Sequence, residues 1–326
     1  MENCSQNKLE YYQLCDLHPE IPLFLQAWWM DGVCYGKAWD VILLKNEKNE
    51  VLAFMPYLLR KKWGMRIIIQ PLLSQTNGLW IFYSGEDSAV EKKKLECRLA
   101  DVLACELSKL NLDWYFQYFH SQSSIPILLE SKGFELSYRR TYVIQNLNHP
   151  EELFKTFSSA KRRQIKKAQR NGLRADFNIS PEEFVQFHTF CLNQKGENNF
   201  HSEALEISLC RKAIERSQGA IIRIVDREEN LHAALFFVWD STTAYYLIPA
   251  INSNYKSSGA SSLMVWEAIL KCKDYVSKFD FEGSMDENIA RSYKQFGTEC
   301  VNYAKVERVN SFFIKVLRRL KVSSFK

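Results

Sequence analysis

Hydrophobic positions along the chain fall into two rhythms. Short runs rich in aromatic and β-branched residues predict strands: Trp39–Leu44 and Val51–Leu59 around the charged turn 45–50, then Arg66–Gln70, Leu79–Tyr83, Asp113–Phe119 and Phe134–Gln145. Between them Leu95, Leu99, Val102, Leu103 and Leu107 recur at helical spacing over Val90–Leu110, and Pro126–Lys132 reads as a short helix stopped at Gly133. A second set of elements follows. Ser159–Arg170 reads as a helix closed by Asn171-Gly172, and Leu173–Ile179 as a strand. Ser180-Pro181-Glu182-Glu183 opens a further helix with a capping box. A helix over Ser202–Ser217 and a strand over Ala220–Asp226 lead into a hairpin, Leu231–Trp239 and Thr243–Ala250.

The rest of the chain is organised around the stretch from Leu231 to Phe296. After the hairpin comes a polar, small-residue loop, Asn252 to Ser261, and then a helix with Leu263, Trp266 and Leu270 on one face. The run Lys278-Phe279-Asp280-Phe281-Glu282-Gly283-Ser284 reads as a strand ending in acid, glycine and hydroxyl. From Ala220 on, the order hairpin, strand, loop, helix, strand, helix-Gly, strand repeats that of the first half. This predicts an α/β protein with mixed sheets, built of two similar domains with a cleft between them. The boundaries read as 1–148, 149–310 and a basic amphipathic tail, 311–326, with Asn148 as helix cap and Pro150 in the first turn. The tail carries Phe312, Phe313, Val316, Leu317 and Leu320 against Lys315, Arg318, Arg319 and Lys321. It is either a helix packed back on the first domain or one lying on a membrane surface.

Composition narrows the function. The chain has 326 residues, 46% hydrophobic and 25% charged, the balance of a globular protein, and a net charge of +5 that permits anionic ligands without singling out nucleic acid. No apolar run reaches the roughly 18 residues of a membrane span, and the N-terminus does not have the pattern of a signal peptide. Nine scattered cysteines without a Cys-x-x-Cys pair read as reduced thiols in a cytoplasm, and the six histidines have no metal-ligand spacing, so no metal is expected.

Hairpin, small-residue loop, helix and strand together resemble the acyl-CoA-binding half of the GNAT N-acyltransferases, with Lys256-Ser257-Ser258-Gly259-Ala260-Ser261 as the counterpart of their phosphate loop. The closer resemblance is to the FemAB-like branch, which has two such domains in tandem. It is carried by residues 158–168 (SSAKRRQIKKA), by Phe279–Ser284 and by Ser292-Tyr293-Lys294-Gln295-Phe296-Gly297. The resemblance implies transfer of an acyl group from acyl-CoA, acetyl-CoA for example, to an amine, by direct attack on the thioester without a covalent enzyme intermediate. It places the donor on the second domain and the acceptor on the first domain or in the cleft. The acceptor would be an amino sugar, nucleotide sugar or amino acid in cell-envelope or polysaccharide synthesis. Two alternatives stay open: an aminoacyl-tRNA-dependent transferase acting on a peptidoglycan precursor, and an idle binding module of the same fold.

Candidate residues follow. Lys256, Ser258, Gly259, Ala260 and Ser261 would hold a pyrophosphate, chiefly through backbone N–H groups at a helix start; a plain flexible loop is the rival reading. Asp280 and Glu282, on one face of a strand with Ser284, would repel each other and raise one pKa, which suits a general base; Glu282 is the candidate base. Ser284-x-x-Glu287 also reads as a capping box. Tyr255 would protonate the leaving thiolate, with Tyr246 and Tyr293 as alternatives that core packing explains equally. Arg162 and Lys166, one helical turn apart, would contact phosphate, or form a solvated face. Gln75 and Asn77, in the loop from Pro71 to Gly78, would line an acceptor site, or serve a connecting loop.

Overall fold

The computed structural model describes residues 5–35 and 37–319. The chain divides into two compact units: unit 1 is Met1–Arg139 with Asn302–Lys326, and unit 2 is Arg140–Val301. Elements are numbered in chain order: α1 Gln6–Leu17, α2 Ala27–Val33, β1 Trp39–Lys45, β2 Val51–Lys62, β3 Met65–Ile69, β4 Trp80–Ile81, α3 Ala89–Lys109, β5 Trp114–Phe119, α4 Ile125–Glu130, β6 Glu135–Ile144, α5 Pro150–Thr156 and α6 Ser159–Arg170. There follow β7 Arg174–Asp176, α7 Pro181–Lys195, α8 Glu203–Glu215, β8 Gly219–Val225, β9 Leu231–Trp239, β10 Thr243–Ile251, α9 Ala260–Cys272, β11 Lys278–Asp280, α10 Glu287–Lys294, β12 Glu299–Val309 and α11 Phe312–Arg319.

In unit 1 the sheet order is β1-β2-β3-β5-β12, with β4 also pairing β2. α3 starts in a full capping box, Ser88 with Glu91, and buries Leu99, Leu103 and Leu107. Val102 is 41% exposed, because one residue before Leu103 lies about 100° round the helix from it. The aromatic run leading into and through the first turn of α2 is core: Phe24, Leu25, Trp28 and Trp29 are buried. Ile314 of α11 is fully buried against Met65, Ile67 and Val309, so the start of the tail helix packs on unit 1; residues 320–326 of the expected tail lie outside the described residues.

Unit 2 has the order β6-β11-β10-β9-β8-β7. β9 is buried along its length from His232 on, because it is central and covered on both faces, which is why it reads as a continuous apolar run rather than an alternation. Ala233, Leu235, Phe237 and Trp239 share a core with Ala260, Leu263, Met264 and Ile269 of α9 and Ile165 and Ala168 of α6. On the other face Phe236 meets Phe184 of α7.

The units part between Arg139 and Arg140, before the expected turn at 148, because Val143 and Ile144 of β6 already pair with Asp280 and Phe279 of β11. His149, not Asn148, is the residue that caps α5, and it does so without a side-chain bond. The Asn148 side chain is one position too early. β7 and β11 are three residues each, shorter than expected, and the shortness of β11 matters at the site.

Candidate active site

β10 and β11 run parallel and pair only from Thr243 to Tyr245 and from Lys278 to Asp280. β11 stops there, while β10 continues to Ile251, with a register shift between Tyr246 and Ile248. The two strands therefore part beyond Tyr245, and β10 presents an edge of backbone groups to the gap. The chain leaving β11 turns sharply there, because Glu282 and Gly283 both take left-handed backbone angles, with φ of 60° and 71°. A Cβ on Gly283 would stand 2.2 Å from the Arg140 carbonyl oxygen, so only glycine fits. Glutamate gains nothing from a left-handed φ, which costs a non-glycine residue on the order of 1 kcal/mol.

Asp280 holds this turn. Its Oδ1 accepts from the Glu282 backbone N–H at 2.7 Å and from the Thr141 hydroxyl. Glu282 Oε1 is buried without a hydrogen-bond partner. Burial, and then the charge of Asp280, hold the Glu282 carboxyl well above the usual carboxylate range. Tyr293 of α10 stands beside it: its phenol is pushed up to about 12, first by burial and then by the Glu282 charge. The Tyr293 ring lies 4.7 Å from Phe281 and 6.0 Å from Tyr246. Tyr245 donates to Asp240 at 2.9 Å, and its phenol is raised by burial and then by the charges of Asp240, Asp280 and Glu282.

The expectation that residues 280, 282 and 284 share one face of a strand is therefore incorrect, since the strand ends at Asp280 and two left-handed residues follow. Asp280 and Glu282 are still brought together, by the turn. The Ser284–Glu287 capping box does not form either. Asp286 caps α10, accepting from Asn288 and Ile289 N–H, and Glu287 pairs instead with Arg140.

The loop before α9 is built as a rigid cradle. The Asn252 side chain accepts from Asn254 N–H and from Gln194 of α7, whose Oε1 accepts from Ser253 N–H at 2.8 Å. Ser258 Oγ accepts from Ala260 N–H at 3.2 Å. Gly259, at φ 86°, starts the helix, and a Cβ there would meet the Gln164 carbonyl oxygen of α6 at 2.4 Å. α9 thus begins hard against α6, and Lys167 of α6 donates to the Ser257 carbonyl at 2.9 Å. Lys256 is exposed and Ser261 half-buried at the same end. A thirteen-residue helix offers its N-terminus here between two lysines.

Tyr255 sits in this loop, stacked on His232 at 3.8 Å. That is the far end of β10 from Glu282; the six steps from Tyr245 to Ile251 span roughly 20 Å. Tyr255 and Glu282 do not share a site, because β10 is extended between them, and Tyr293 is the phenol that stands by the carboxyl.

α6 carries the basic residues. Arg162 donates to the Lys155 carbonyl at 2.8 Å, and Arg162, Arg163 and Lys166 rim a groove of about 670 Å³ whose apolar lining includes Phe154 and Trp266. Lys161 differs from them. It is buried, donates to Ser292 Oγ at 3.0 Å, lies 4.6 Å over the Phe296 ring, and burial pushes its amine down to about 8. The sequence shows it only as one more cation in a row. Gln75 and Asn77 belong to unit 1. Asn77 is fully buried, donates to the Phe24 carbonyl and accepts from Gln117 Nε2 at 2.6 Å, so its amide pins the core rather than facing a ligand.

Residues 157–295 match the acetyltransferase (GNAT) domain family. No curated protein sequence gives a significant match. Among solved structures the chain is similar to FemX, at 11% identity and a TM-score of 0.70 over 98% of this chain and 100% of that one. It is similar to the C-terminal domain of a putative lysylphosphatidylglycerol synthetase from Agrobacterium fabrum, at 10% identity and a TM-score of 0.61 over 96% and 95%. It is also similar to a tandem GNAT protein from the clavulanic acid biosynthesis pathway, at 11% identity and 0.53 over 94% and 95%. At these identities the structural likenesses are of fold, and the domain match supplies the chemistry: the protein is an acyltransferase. More narrowly, the chain has the tandem GNAT, FemAB-like architecture, with the GNAT domain in unit 2.

Proposed function

We propose that the chain transfers an acyl group from a thioester, acyl-CoA, to an amine at the gap between β10 and β11, with Glu282 as general base. The observation that carries this reading is the buried, unpartnered Glu282 oxygen with its raised pKa at the point where the strands part. A carboxylate of raised pKa is a better proton acceptor than an ordinary one. Glu282 takes a proton from the acceptor ammonium, and the freed amine attacks the acyl carbonyl carbon. Backbone N–H groups on the β10 edge beyond Tyr245 stabilise the oxyanion. The C–S bond then breaks and the thiolate receives a proton from Tyr293, whose phenol stays protonated at neutral pH; the second amine proton leaves the nitrogen as the amide forms and restores the Tyr293 phenol. No acyl-enzyme is needed. The helix start at Gly259 to Ser261, with Lys256, binds the pyrophosphate of the donor, about one β10 length away.

An amine-bearing precursor of the cell envelope or of a polysaccharide is the acceptor in this reading, which the similarity to FemX and to the lysylphosphatidylglycerol synthetase domain supports. Gln75 remains a candidate contact to it. One observation favours a second donor: the Arg162, Arg163 and Lys166 rim over Phe154 and Trp266 suits stacking bases and phosphates, as in the 3′ end of an aminoacyl-tRNA. The test is thiol release from acetyl-CoA over a panel of amino sugars and amino acids, run beside aminoacyl transfer from charged tRNA. Thiol release lost in Glu282→Gln supports the thioester reading, and tRNA-dependent transfer alone replaces it. Turnover of neither donor leaves an idle module of the same fold.

A further inference from the structure

The tip of the β2–β3 hairpin in unit 1 is built against its own turn preference. Lys62 pairs with Met65, which leaves Trp63-Gly64 as a two-residue turn. Both residues have positive φ, 52° and 75°, the geometry of a type I′ turn. Such turns take Asn-Gly or Asp-Gly. A tryptophan there costs on the order of 1 kcal/mol of backbone strain. That strain is not repaid by burial, for Trp63 is 63% exposed. Its ring lies 4.8 Å from Lys62 Nζ, and the flanking stretch Arg60 to Arg66 holds Arg60, Lys61, Lys62 and Arg66 with no acidic residue.

α11 belongs to the same surface. Ile314 anchors it on Met65 and Ile67, the strand that leaves the Trp63 turn. Phe312 and Phe313, two residues and one residue before the anchor, are 79% and 53% exposed. Lys315, the residue after the anchor, is exposed as well. Three large aromatic side chains are thus held out beside Lys61, Lys62 and Lys315.

We propose that the Trp63 turn and α11 form a footprint for the surface of an anionic lipid bilayer. Indole and phenyl rings enter the headgroup region, and Lys61, Lys62 and Lys315 meet lipid phosphates. Among the described residues no helix is long and apolar enough to cross a membrane, so this contact is peripheral. It does not depend on which acyl donor the second unit uses.

The test is co-sedimentation of the full chain with vesicles of phosphatidylcholine alone, or with about one third phosphatidylglycerol. The chain partitions to the anionic vesicles only, and added salt weakens the binding. Trp63→Asn suits the turn, so it keeps or raises the melting temperature while lowering partitioning at least about tenfold, as does Phe312→Ser with Phe313→Ser. Several results overturn the proposal: no preference for anionic vesicles, unchanged partitioning in these variants, or a melting temperature that falls in Trp63→Asn. Two others give the patch to a different occupant and overturn it equally: loss of vesicle binding to competing RNA, or self-association that the same substitutions abolish.

Discussion

Glu282→Gln separates the cost of the site from its use. The carboxyl is buried, one oxygen has no partner, and Asp280 adds a like charge. Its folded-state pKa therefore lies above that of the unfolded chain. The sign follows: between the unfolded and folded pKa values the native state binds more protons, so stability is full below the unfolded pKa and is lost as pH rises through the folded one. The slope for one such group reaches about 1.4 kcal/mol per pH unit across that window. Glutamine keeps the shape and cannot ionise. The variant should melt above the wild type at pH 8, with the gain shrinking toward pH 4.5, in paired thermal scans across pH. Turnover should fall by about 100- to 10,000-fold, the range for loss of a general base, or roughly 3–5 kcal/mol of barrier. The rising limb of the pH–rate profile should vanish with it. Glu282→Gly should stabilise further, by about 1 kcal/mol, because glycine accepts φ 60° without strain. A glutamine variant less stable than the wild type at pH 8, or one with an unchanged pH–rate limb, refutes the reasoning.

Three further outcomes follow from the packing. Gly283→Ala places a methyl 2.2 Å from the Arg140 carbonyl at a positive φ; it should cost about 2–4 kcal/mol, read as a lower urea midpoint with unchanged slope. Lys161→Met should raise stability at pH 7, since displacing the amine from 10.5 to about 8 corresponds to about 3 kcal/mol. The folded pKa is depressed, so wild-type stability rises with pH from about 8 to 10.5 and the variant's advantage disappears over that span. Gly259→Ala should lower stability through its contact with Gln164, whereas Lys256→Glu, on an exposed side chain, should leave melting unchanged and weaken only anion binding.

Local signals were legible where a residue's role is decided within a few positions of it. Ser180-Pro181-Glu183 reads as a capping box and forms one, with Ser180 accepting from Glu183 N–H and Glu183 from Ser180 N–H. Gly259 reads as a helix start and is one, but the sequence gives no hint that Gln164 closes on it from α6. The same limit applies at the site. Alternation extends β11 to Ser284, yet the strand stops when Asp280 turns to cap Glu282 N–H, and Thr141, far off in sequence, shares that carboxylate. Ser284-x-x-Glu287 has the spacing of a capping box, but Arg140 competes for Glu287 and Asp286 takes the cap. Lys161 looks like its neighbours on α6 because burial by Phe296 and Ser292 is a tertiary fact. Asn77 reads as a loop amide until Gln117 and Phe24 enclose it.

The most direct test of the central claim, that unit 2 takes an acyl thioester with its pyrophosphate at the α9 start, is calorimetric titration of acetyl-CoA into the wild type, Lys256→Glu and Glu282→Gln. The account predicts saturable binding at one site in the wild type, about tenfold weaker in Lys256→Glu, a loss near 1.4 kcal/mol, and unchanged in Glu282→Gln. Absence of saturable binding, or equal affinity in Lys256→Glu and the wild type, would contradict it.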